Sequence, residues 1–462
     1  MAEGGPIVCL VHDLTDAADT ETIAPPRTRL RGDVIGALVA ALLVAAAFVV
    51  PRLATPEFRA TLYAAAAPLY AGWLPHVGWG TGPAIVLVVA VVAWGPTLAQ
   101  RLAWPKLLAS AWLTALAWTF ALVMVDGWQR GFVARLADGH EYLSEVDGVT
   151  DIPAMLRGFS DRILDFQPDS WTTHVSGHPP GALLFFVSLD RIGLGGSTWA
   201  GLACVLIGTS AVVAVAVALR ALGAEDRARA ALPFLALAPA AIWIGVSADA
   251  MFAGVTAWAV ALLALATRPG RHYASAVAAG VLFGCGMYLN YGLSLMALPA
   301  LAVLIAGKTL RPLLPAILGA LLVVAAFTLA GFWWFDGYHL VVERYYQGIA
   351  SERPYAYWFW ANLAATVCAL GLATAAALHR TLVPSVVRGR DPAALLALAG
   401  VCAILAADLS GLSKAETERI WLPFDLWVLV ATAFLPRATA RFWLAVQGIG
   451  TLAIIHLLLT IW

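Results

Sequence analysis

One polar segment in an otherwise apolar chain carries the residue types that could do chemistry. Within it, Asp138 and Glu141 are three positions apart and would share one face of a helix. A carboxylate at a lipid–water boundary suits general-base catalysis, because desolvation raises its pKa or a neighbouring cation keeps it ionised. A solvated acidic loop is the alternative, and it accounts for the acids from Glu145 to Asp169. We therefore predict that Asp138 and Glu141 are the catalytic candidates.

Three histidines accompany these acids in the same segment. His178 precedes Pro179 and Pro180, which favour the start of a helix at this point. A helix amino terminus beside an imidazole favours an anionic group such as a phosphate. A divalent-metal site built from His140, His174 and His178 is the alternative, but their spacing matches no established ligand pattern. We predict a phosphate-binding role for these histidines, with no metal or other cofactor.

Four charged residues elsewhere are further candidates for the same site. An acid near membrane depth, such as Asp249, is costly and points to function, with a helix amino-terminal cap as the alternative. Arg344 lies in a predicted outer loop that is rich in aromatic residues, and Lys414 and Arg419 lie in the last outer loop, just where a span begins. These cations could hold a lipid phosphate, or they could anchor the chain at the membrane interface.

Membrane-spanning helices must position these residues, since the chain of 462 residues is 61% hydrophobic and only 12% charged, with a mean hydropathy of +0.82. Soluble domains average about 25% charged residues. Apolar runs of roughly 16–23 residues, long enough to cross a bilayer, predict an all-α polytopic membrane protein with about 13 transmembrane helices. The predicted spans are 34–50, 83–99, 107–125, 198–219, 231–246, 250–267, 273–289, 292–307, 313–335, 358–378, 393–409, 421–435 and 442–460. Two more apolar stretches, 57–74 and 180–194, are ambiguous.

The distribution of charge predicts how these spans are arranged. If 180–194 is a juxtamembrane helix at the outer surface, the short loops that contain Arg and Lys collect on the cytoplasmic side, as the positive-inside rule requires. Residues 1–32 then form a disordered cytoplasmic tail, and 33–462 form a single transmembrane domain in the cell membrane. The longest loops face outward.

The outward loops are a catalytic loop with juxtamembrane helices at 126–197 and further loops at 335–357 and 410–420. The amino terminus is then cytoplasmic and the active face extracytoplasmic. Because ATP is absent there, any synthetic reaction on that face needs a preactivated, membrane-borne donor.

The order and membrane side of these motifs resemble the GT-C superfamily of glycosyltransferases, which use polyprenyl-phosphate sugars on the outer face. Asp138-Gly139-His140-Glu141-Tyr142 is similar to its acidic motif Asp-Glu-x-x-Tyr, with Gly139 where an acid is common. His178-Pro179-Pro180 is similar to a motif that heads a juxtamembrane helix. Asp249 resembles an acid at the outer boundary of a later span, and the segment from Lys414 to Pro423 resembles a late motif Lys/Arg…Arg-aromatic-Leu-Pro.

This resemblance implies a GT-C-like fold and an inverting hexosyl- or pentosyltransferase. Asp138, with Glu141 as the second choice, would accept the proton of the acceptor hydroxyl, and the cationic candidates would meet the phosphate of the leaving polyprenyl group. The expected partners are a polyprenyl-phosphate sugar donor, a glycan, lipid or protein acceptor of the cell envelope, and the bilayer, with no nucleic acid. The Ala- and Trp-rich composition, with Arg preferred to Lys, is typical of a high-GC bacterium such as an actinobacterium.

Two other classes of protein are alternatives. A transporter or flippase of a lipid-linked or small solute would use the outer acids as gates. Transporters usually place ionisable groups at the bilayer midplane and often contain internal repeats, whereas the charges here stand at the ends of predicted spans. A non-enzymatic scaffold for a cell-envelope complex is the second alternative.

Overall fold

The computed structural model describes residues 27–270 and 272–461, so most of the predicted tail, residues 1–26, lies outside the described residues. Residues 27–32 form the first turns of a helix. The α-helices, in chain order, are α1 (Arg27–Leu53), α2 (Pro56–Leu62), α3 (Thr81–Arg101), α4 (Trp104–Asp126), α5 (Ala134–Leu136), α6 (Leu143–Val146), α7 (Ile152–Arg157), α8 (Thr173–Ser176), α9 (Pro180–Arg191), α10 (Ser197–Ala221), α11 (Glu225–Ala236), α12 (Ala241–Ile244), α13 (Ala248–Ala266), α14 (Tyr273–Leu289), α15 (Ala297–Gly307), α16 (Leu313–Leu329), α17 (Trp334–Gln347), α18 (Tyr355–Leu370), α19 (Leu372–Thr381), α20 (Pro384–Arg388), α21 (Pro392–Leu409), α22 (Thr417–Ile420), α23 (Leu422–Val428) and α24 (Ala440–Leu457).

Single π-helical or 3₁₀ turns occupy Trp128–Val133, Ser160–Arg162, Tyr291–Met296, Ile349–Ser351 and Leu429–Phe434. Two short strands, β1 (Ala71–Trp73) and β2 (Leu458–Thr460), pair antiparallel, with Ala71 opposite Thr460. The rest of the described chain is loops and turns between helices.

Seven of the described helices are long and apolar enough to cross a membrane, namely α1 from Leu30 onward, α3, α4, α10, α13, α21 and α24. Two bent pairs raise the number to nine: α16 and α17 meet at 75°, and α18 and α19 meet at 103°. Shorter apolar helices cover Tyr273–Leu289, Tyr291–Gly307 and Leu422–Phe434. These helices confirm the predicted all-α polytopic membrane class, while several of the predicted spans are bent or shorter than one bilayer crossing.

The predicted span 231–246 shows why pattern and structure differ. The helix α11 ends at Ala236 and α12 begins only at Ala241, with Pro239 between them. The carbonyl groups that the break exposes are satisfied by other helices: Gln447 Nε2 donates to Phe234 and Leu237 O at 2.9 and 3.0 Å. All residues from 231 to 246 are buried, so this apolar run is a broken segment inside the protein, where such breaks are tolerated.

The two ambiguous stretches do not form spans in the described structure. Residues 57–74 form most of α2, a turn and β1. The predicted juxtamembrane segment 180–194 contains α9, whose 12 residues would extend about 18 Å, too short to cross the hydrocarbon core. Its buried face packs against α6 and α14.

Helix direction and contacts divide the loops between two ends of the bundle. At one end, Arg380 Nε binds Asp33 Oδ1 at 2.7 Å and Arg227 Nη2 binds Asp391 Oδ2 at 3.1 Å. This end, here called the basic end, holds most of the described cations and includes Arg101, Lys106, Arg220, Arg229, Arg268, Lys308, Arg311, Arg388, Arg390, Arg437 and Arg441. The loops at 126–197, 335–357 and 410–420 lie at the opposite end, here called the site end.

The carboxylate of Asp126 connects three segments at the site end. It accepts from His76 Nε2 at 2.6 Å and from Arg135 Nη2 at 2.9 Å, and Arg135 also donates to Thr460 O at 2.5 Å. Because β2 follows directly from α24, these contacts fix the carboxyl-terminal strand against the start of the 126–197 loop. The sorting of charge between the two ends agrees with the pattern used to predict topology. Which end faces the cytoplasm stays a prediction.

Candidate active site

Four buried side chains from distant parts of the chain meet at the site end. Glu141 and His174 come from the loop between α4 and α9, Asp249 from the first turn of α13, and Arg419 from α22. Arg419 Nη1 lies 3.2 Å from Asp249 Oδ2 and 3.9 Å from Glu141 Oε1. His174 Nδ1 lies 3.6 Å from the same Glu141 oxygen. Because charges removed from water persist only when they are paired, Arg419 and the two carboxylates form an ionic network. With His174, which contacts two of them, these side chains are here called the Arg419 cluster.

Two carboxylate oxygens in the Arg419 cluster lack a hydrogen-bond donor among the described residues, namely Glu141 Oε2 and Asp249 Oδ1. Leaving a buried acceptor without a donor costs about 1–3 kcal/mol. The cap of α13 is Ser247, whose hydroxyl accepts from Ala250 N at 3.3 Å, so the capping alternative for Asp249 is wrong. Both acids thus offer an acceptor atom to a molecule that enters the cluster.

His174 has a defined orientation because both ring nitrogens have partners. Its Nδ1 donates to the carbonyl oxygen of His140 at 2.8 Å, which leaves Nε2 as an acceptor. Arg419 Nη2 donates to that Nε2 at 3.1 Å. The tautomer assigned in this way makes His174 a fixed link between the backbone at His140 and the guanidinium of Arg419.

Carboxylates surround Arg419 on several sides. Burial alone would lower the pKa of Arg419, but Asp249, Glu141 and Glu416 together raise it. Glu416 Oε2 lies 3.6 Å from Arg419 Nη2, and Glu416 Oε1 accepts from both terminal nitrogens of Arg353 at 3.3 and 3.2 Å. Arg353 therefore supplies a second buried guanidinium to the same network, one contact away from Arg419.

The loop before α22 holds an unusual backbone conformation. Ala415 and Glu416 are consecutive residues with φ angles of 73° and 64°, in the left-handed region that costs L-residues roughly 1–2 kcal/mol each. Asn362 Oδ1 accepts from Ala415 N at 3.1 Å, and Arg353 Nη1 donates to Lys414 O at 2.7 Å. These contacts hold the strained turn and place Glu416 beside Arg419 in the cluster. Strained backbone of this kind is common at functional sites.

Asp138 lies at the solvent-exposed rim of this site. Its side chain is 60% exposed, and its Oδ1 accepts from His140 N and from His140 Nδ1, each at 2.8 Å. These hydrogen bonds lower the pKa of Asp138, so the carboxylate is ionised over the whole physiological range. Asp138 is accessible to a soluble or membrane-bound acceptor, whereas Glu141 is enclosed by the Arg419 cluster.

His178 borders the cluster on the side of α9. Its Nδ1 donates to His174 O at 2.8 Å, and its ring centre lies 5.7 Å from that of Tyr142 and 5.6 Å from that of Phe252. Burial among these rings lowers the pKa of His178 to about 3, so the imidazole is neutral. Because Pro179 and Pro180 follow, α9 begins at this point, as the sequence predicts.

Two of the predicted phosphate-binding cations have structural partners. Lys414 Nζ donates to Ala350 O at 2.9 Å and lies 5.4 Å from the ring centre of Tyr346, and burial lowers its pKa. Its peptide group connects it to the cluster through Arg353. Arg344 Nη1 instead lies 2.6 Å from Asp165 Oδ1, so its guanidinium pairs with the loop and shows no contact with the cluster in the described structure.

Glu418, the residue before Arg419, is a buried acid. Its Oε1 accepts from Tyr70 N at 2.8 Å, and its Oε2 has no hydrogen-bond donor among the described residues. Burial raises the pKa of Glu418 to about 7, the neighbouring charge of Glu416 adds to this rise, and the carboxyl is largely protonated under mildly acidic conditions.

Replacing Glu418 by glutamine should change how stability depends on pH. The folded-state pKa of about 7 lies above the unfolded value of 4.5, so the folded chain keeps a proton that the unfolded chain releases. The contribution of Glu418 to stability is then greatest below pH 4.5 and falls by about 3 kcal/mol as pH rises to 7. Glu418→Gln, which keeps the acceptor for Tyr70 N, should remove this fall, as measured by thermal unfolding in detergent from pH 4.5 to 8. Equal slopes in wild type and variant would contradict the assignment.

The sequence indicated some of these residues and missed others. It pointed to Asp138, His140, Glu141, His174, His178, Asp249, Lys414 and Arg419, and the structure brings these together, either within the Arg419 cluster or beside it. Arg344 lies apart. Glu416 and Glu418 stand three positions and one position before Arg419, and this closeness in sequence could have pointed to a role in the site. No sequence signal pointed to Tyr70, which approaches through a contact across 348 positions. Metal independence stays a prediction.

The fold and the site together define an all-α polytopic membrane protein with a buried ionic cluster at one end of its helices. The sequence matches no protein-family model and no curated protein. Among solved structures, the chain is similar to the crystal structure of ArnT from Cupriavidus metallidurans in the apo state, with a TM-score of 0.43 and 17% identity. The match covers 70% of this chain and 60% of ArnT. A likeness at this level does not define a function, so the function has to follow from the site.

Proposed function

We propose that this protein is a membrane glycosyltransferase that moves a sugar from a polyprenyl-phosphate donor to a hydroxyl group of a cell-envelope glycan, lipid or protein. The observation that carries the proposal is the Arg419 cluster, in which acids and cations from distant segments meet at one end of a helical membrane protein. The motif resemblance to the GT-C superfamily points to the same chemistry.

The unsatisfied carboxylate oxygens of the cluster suit a sugar ligand. Glu141 Oε2 and Asp249 Oδ1 are buried acceptors without donors among the described residues. A sugar presents several hydroxyl donors, and a hydrogen bond to a charged acceptor contributes about 1.5–3 kcal/mol. A ligand rich in hydroxyl groups therefore removes the energetic cost that these two atoms carry in the unliganded chain.

The exposed carboxylate at the rim suits the proton transfer. Asp138 is ionised and faces solvent, so it can accept the proton of an approaching acceptor hydroxyl, as a general base must. Glu141 is the second candidate, since one of its oxygens has no partner among the described residues. As the acceptor oxygen bonds to the anomeric carbon, the bond from that carbon to the donor phosphate breaks, and the configuration inverts.

The cations in and beside the 410–420 loop stabilise the negative charge of the leaving polyprenyl phosphate. Arg419 has the appropriate planar donor array for a phosphate. Lys414 lies in the same loop, and neutral His178 borders the cluster from α9. Phosphate is a good leaving group, so positioning and electrostatic stabilisation supply most of the rate acceleration. The polyprenyl chain lies among the apolar helices, in contact with lipid.

The function can be tested with purified protein and a panel of polyprenyl-phosphate hexoses and pentoses. The proposal predicts cleavage of at least one donor, with release of polyprenyl phosphate and appearance of the sugar in an envelope fraction. Movement of an intact donor across a proteoliposome membrane, without cleavage, would instead identify a flippase. Failure to cleave any donor in the presence of the envelope fraction would contradict the proposal.

The proposed orientation places the site end outside the cytoplasm and the amino terminus inside. Asp190 in α9 is exposed at the site end, and Arg388 is exposed at the basic end, so a cysteine at either position can report its side. In a variant without the native cysteines, Asp190→Cys should react with a membrane-impermeant maleimide on intact cells. Arg388→Cys should react only after lysis. The reverse pattern would show that the site faces the cytoplasm.

A further inference from the structure

A cavity at the site end is lined by residues other than those of the Arg419 cluster. It has a volume of about 480 Å³ and lies between the end of α1, the helix α2 and the turn that follows α2. Two prolines, Pro51 and Pro56, form part of its wall, and its charged lining residues are Arg52 and Arg59. The volume falls within the range of about 300–1,000 Å³ that small-molecule sites occupy.

Both guanidinium groups are available to a ligand. Arg52 Nη1 donates to Phe48 O at 2.6 Å, and its guanidinium lies 3.3 Å from the ring centre of Phe48, which leaves its remaining N–H groups for other acceptors. Within the described residues, no carboxylate approaches Arg52 or Arg59 to ion-pair distance. The nearby acid Glu57 is hydrogen-bonded by the backbone and by Thr55, and it also interacts electrostatically with Arg59. With two arginines in its lining and one acid beside it, the cavity keeps a net positive charge.

The surroundings of the cavity indicate where a ligand would come from. Val49, Val50 and Leu53, on the last turns of α1, are exposed, and Leu53 is 83% exposed. These residues belong to an apolar helix that crosses the membrane, so their side chains face lipid at the level of the cavity. An anion that enters beside this surface would keep an apolar tail against α1 and a charged head between the arginines.

We propose that this cavity binds the phosphate group of an anionic membrane lipid. Two arginines at a membrane interface match the negative charge of a lipid phosphate, and arginine is the side chain best suited to phosphate contacts. The end of α2 is also connected to the Arg419 cluster through Arg353 and Glu416, because Arg353 Nη2 donates to Tyr63 O at 3.4 Å and Tyr63 hydrogen-bonds Glu352. A lipid bound there would stabilise α2 and its contacts with the loop at Glu352 and Arg353. The inference is independent of the proposed sugar transfer.

Native mass spectrometry of the delipidated protein tests the proposal. Phosphatidylglycerol and phosphatidylcholine with matched acyl chains are added separately, and retention of each is measured. Wild type should retain phosphatidylglycerol at least about tenfold more tightly, the effect of two charge-assisted contacts. Arg52→Gln/Arg59→Gln should lose this preference, and Arg52→Lys/Arg59→Lys should keep most of it. Arg388→Gln/Arg390→Gln, which removes the same charge from the basic end, should behave as wild type.

Three outcomes would overturn the proposal. The first is equal retention of both lipids by wild type, and the second is an unchanged preference in Arg52→Gln/Arg59→Gln. The third is displacement of phosphatidylglycerol by inorganic phosphate at submillimolar concentration, which would make the cavity a site for free phosphate instead of a lipid. If the double variant does not fold, Arg59→Gln alone decides the question, since Arg59 is exposed and its replacement should leave the fold intact.

Discussion

Replacement of Arg419 by glutamine is expected to reduce sugar transfer by about 10²–10³-fold, the size of effect seen when one preorganised charge-stabilising donor is removed. The same change leaves Glu141, Asp249 and Glu416 without their shared cation. Removing one partner of a buried ion pair costs about 3–5 kcal/mol of stability. We therefore expect lower activity and a lower melting temperature together, measured by donor cleavage and by thermal unfolding in detergent.

A double variant separates catalysis from folding. Asp249→Asn/Arg419→Gln removes one buried negative charge along with the positive one, so its stability should exceed that of Arg419→Gln alone. Its activity should stay low, because the group that meets the phosphate is absent. Arg344→Gln is the matched control: this arginine pairs with Asp165 away from the cluster and should lower stability without a selective effect on donor use. Full activity in Arg419→Gln would move the phosphate site elsewhere.

Asp138→Asn is expected to lower sugar transfer by about 10²–10⁴-fold, the usual contribution of a general base. Stability should hardly change, since the side chain is 60% exposed. Its pKa lies below the ordinary value of 3.8 because His140 hydrogen-bonds the carboxylate, so the base form persists as pH falls. In wild type, protonation of Asp138 should therefore not lower kcat/KM until the pH falls to about 4.

Glu141→Gln tests the second candidate in the same assay. If Asp138 is the base, Glu141→Gln should weaken donor binding and leave a measurable rate, because Glu141 contacts Arg419 and His174 within the cluster. The control is Asp147→Asn, an exposed acid of the same loop, which should leave both rate and stability unchanged. Retention of full transfer by both Asp138→Asn and Glu141→Gln would show that neither carboxylate is the base.

Much of the fold follows from composition and charge. Long apolar runs predict membrane helices, and the separation of acids from arginines predicts which loops share an end of the bundle. The prediction for 180–194 rested on charge, with which the motif at His178-Pro179-Pro180 agreed, and the structure contains a helix there too short to span. Breaks within apolar runs were not predicted, as at Pro239, because the side chains that satisfy the exposed carbonyls, such as Gln447, come from remote helices.

The candidate site could also be predicted only in part from the sequence. Asp249 and Arg419 could be suspected individually, since charges at membrane boundaries are costly. Their direct pairing could not be predicted, because it depends on how α13 and α22 pack across a long separation in sequence. Asp138 and Glu141 looked equivalent by spacing, yet one is exposed and the other is enclosed. Burial, which decides their different chemistry, is set by tertiary packing.

A structure of the protein with a bound polyprenyl-phosphate sugar would test directly whether the Arg419 cluster is the active site. We expect sugar hydroxyl groups within hydrogen-bond distance of Glu141 Oε2 and Asp249 Oδ1, the phosphate beside Arg419, and the open face of the anomeric carbon toward Asp138. Density for the phosphate away from Arg419, with the two carboxylate oxygens still lacking a ligand contact, would contradict the proposal that the Arg419 cluster is the active site.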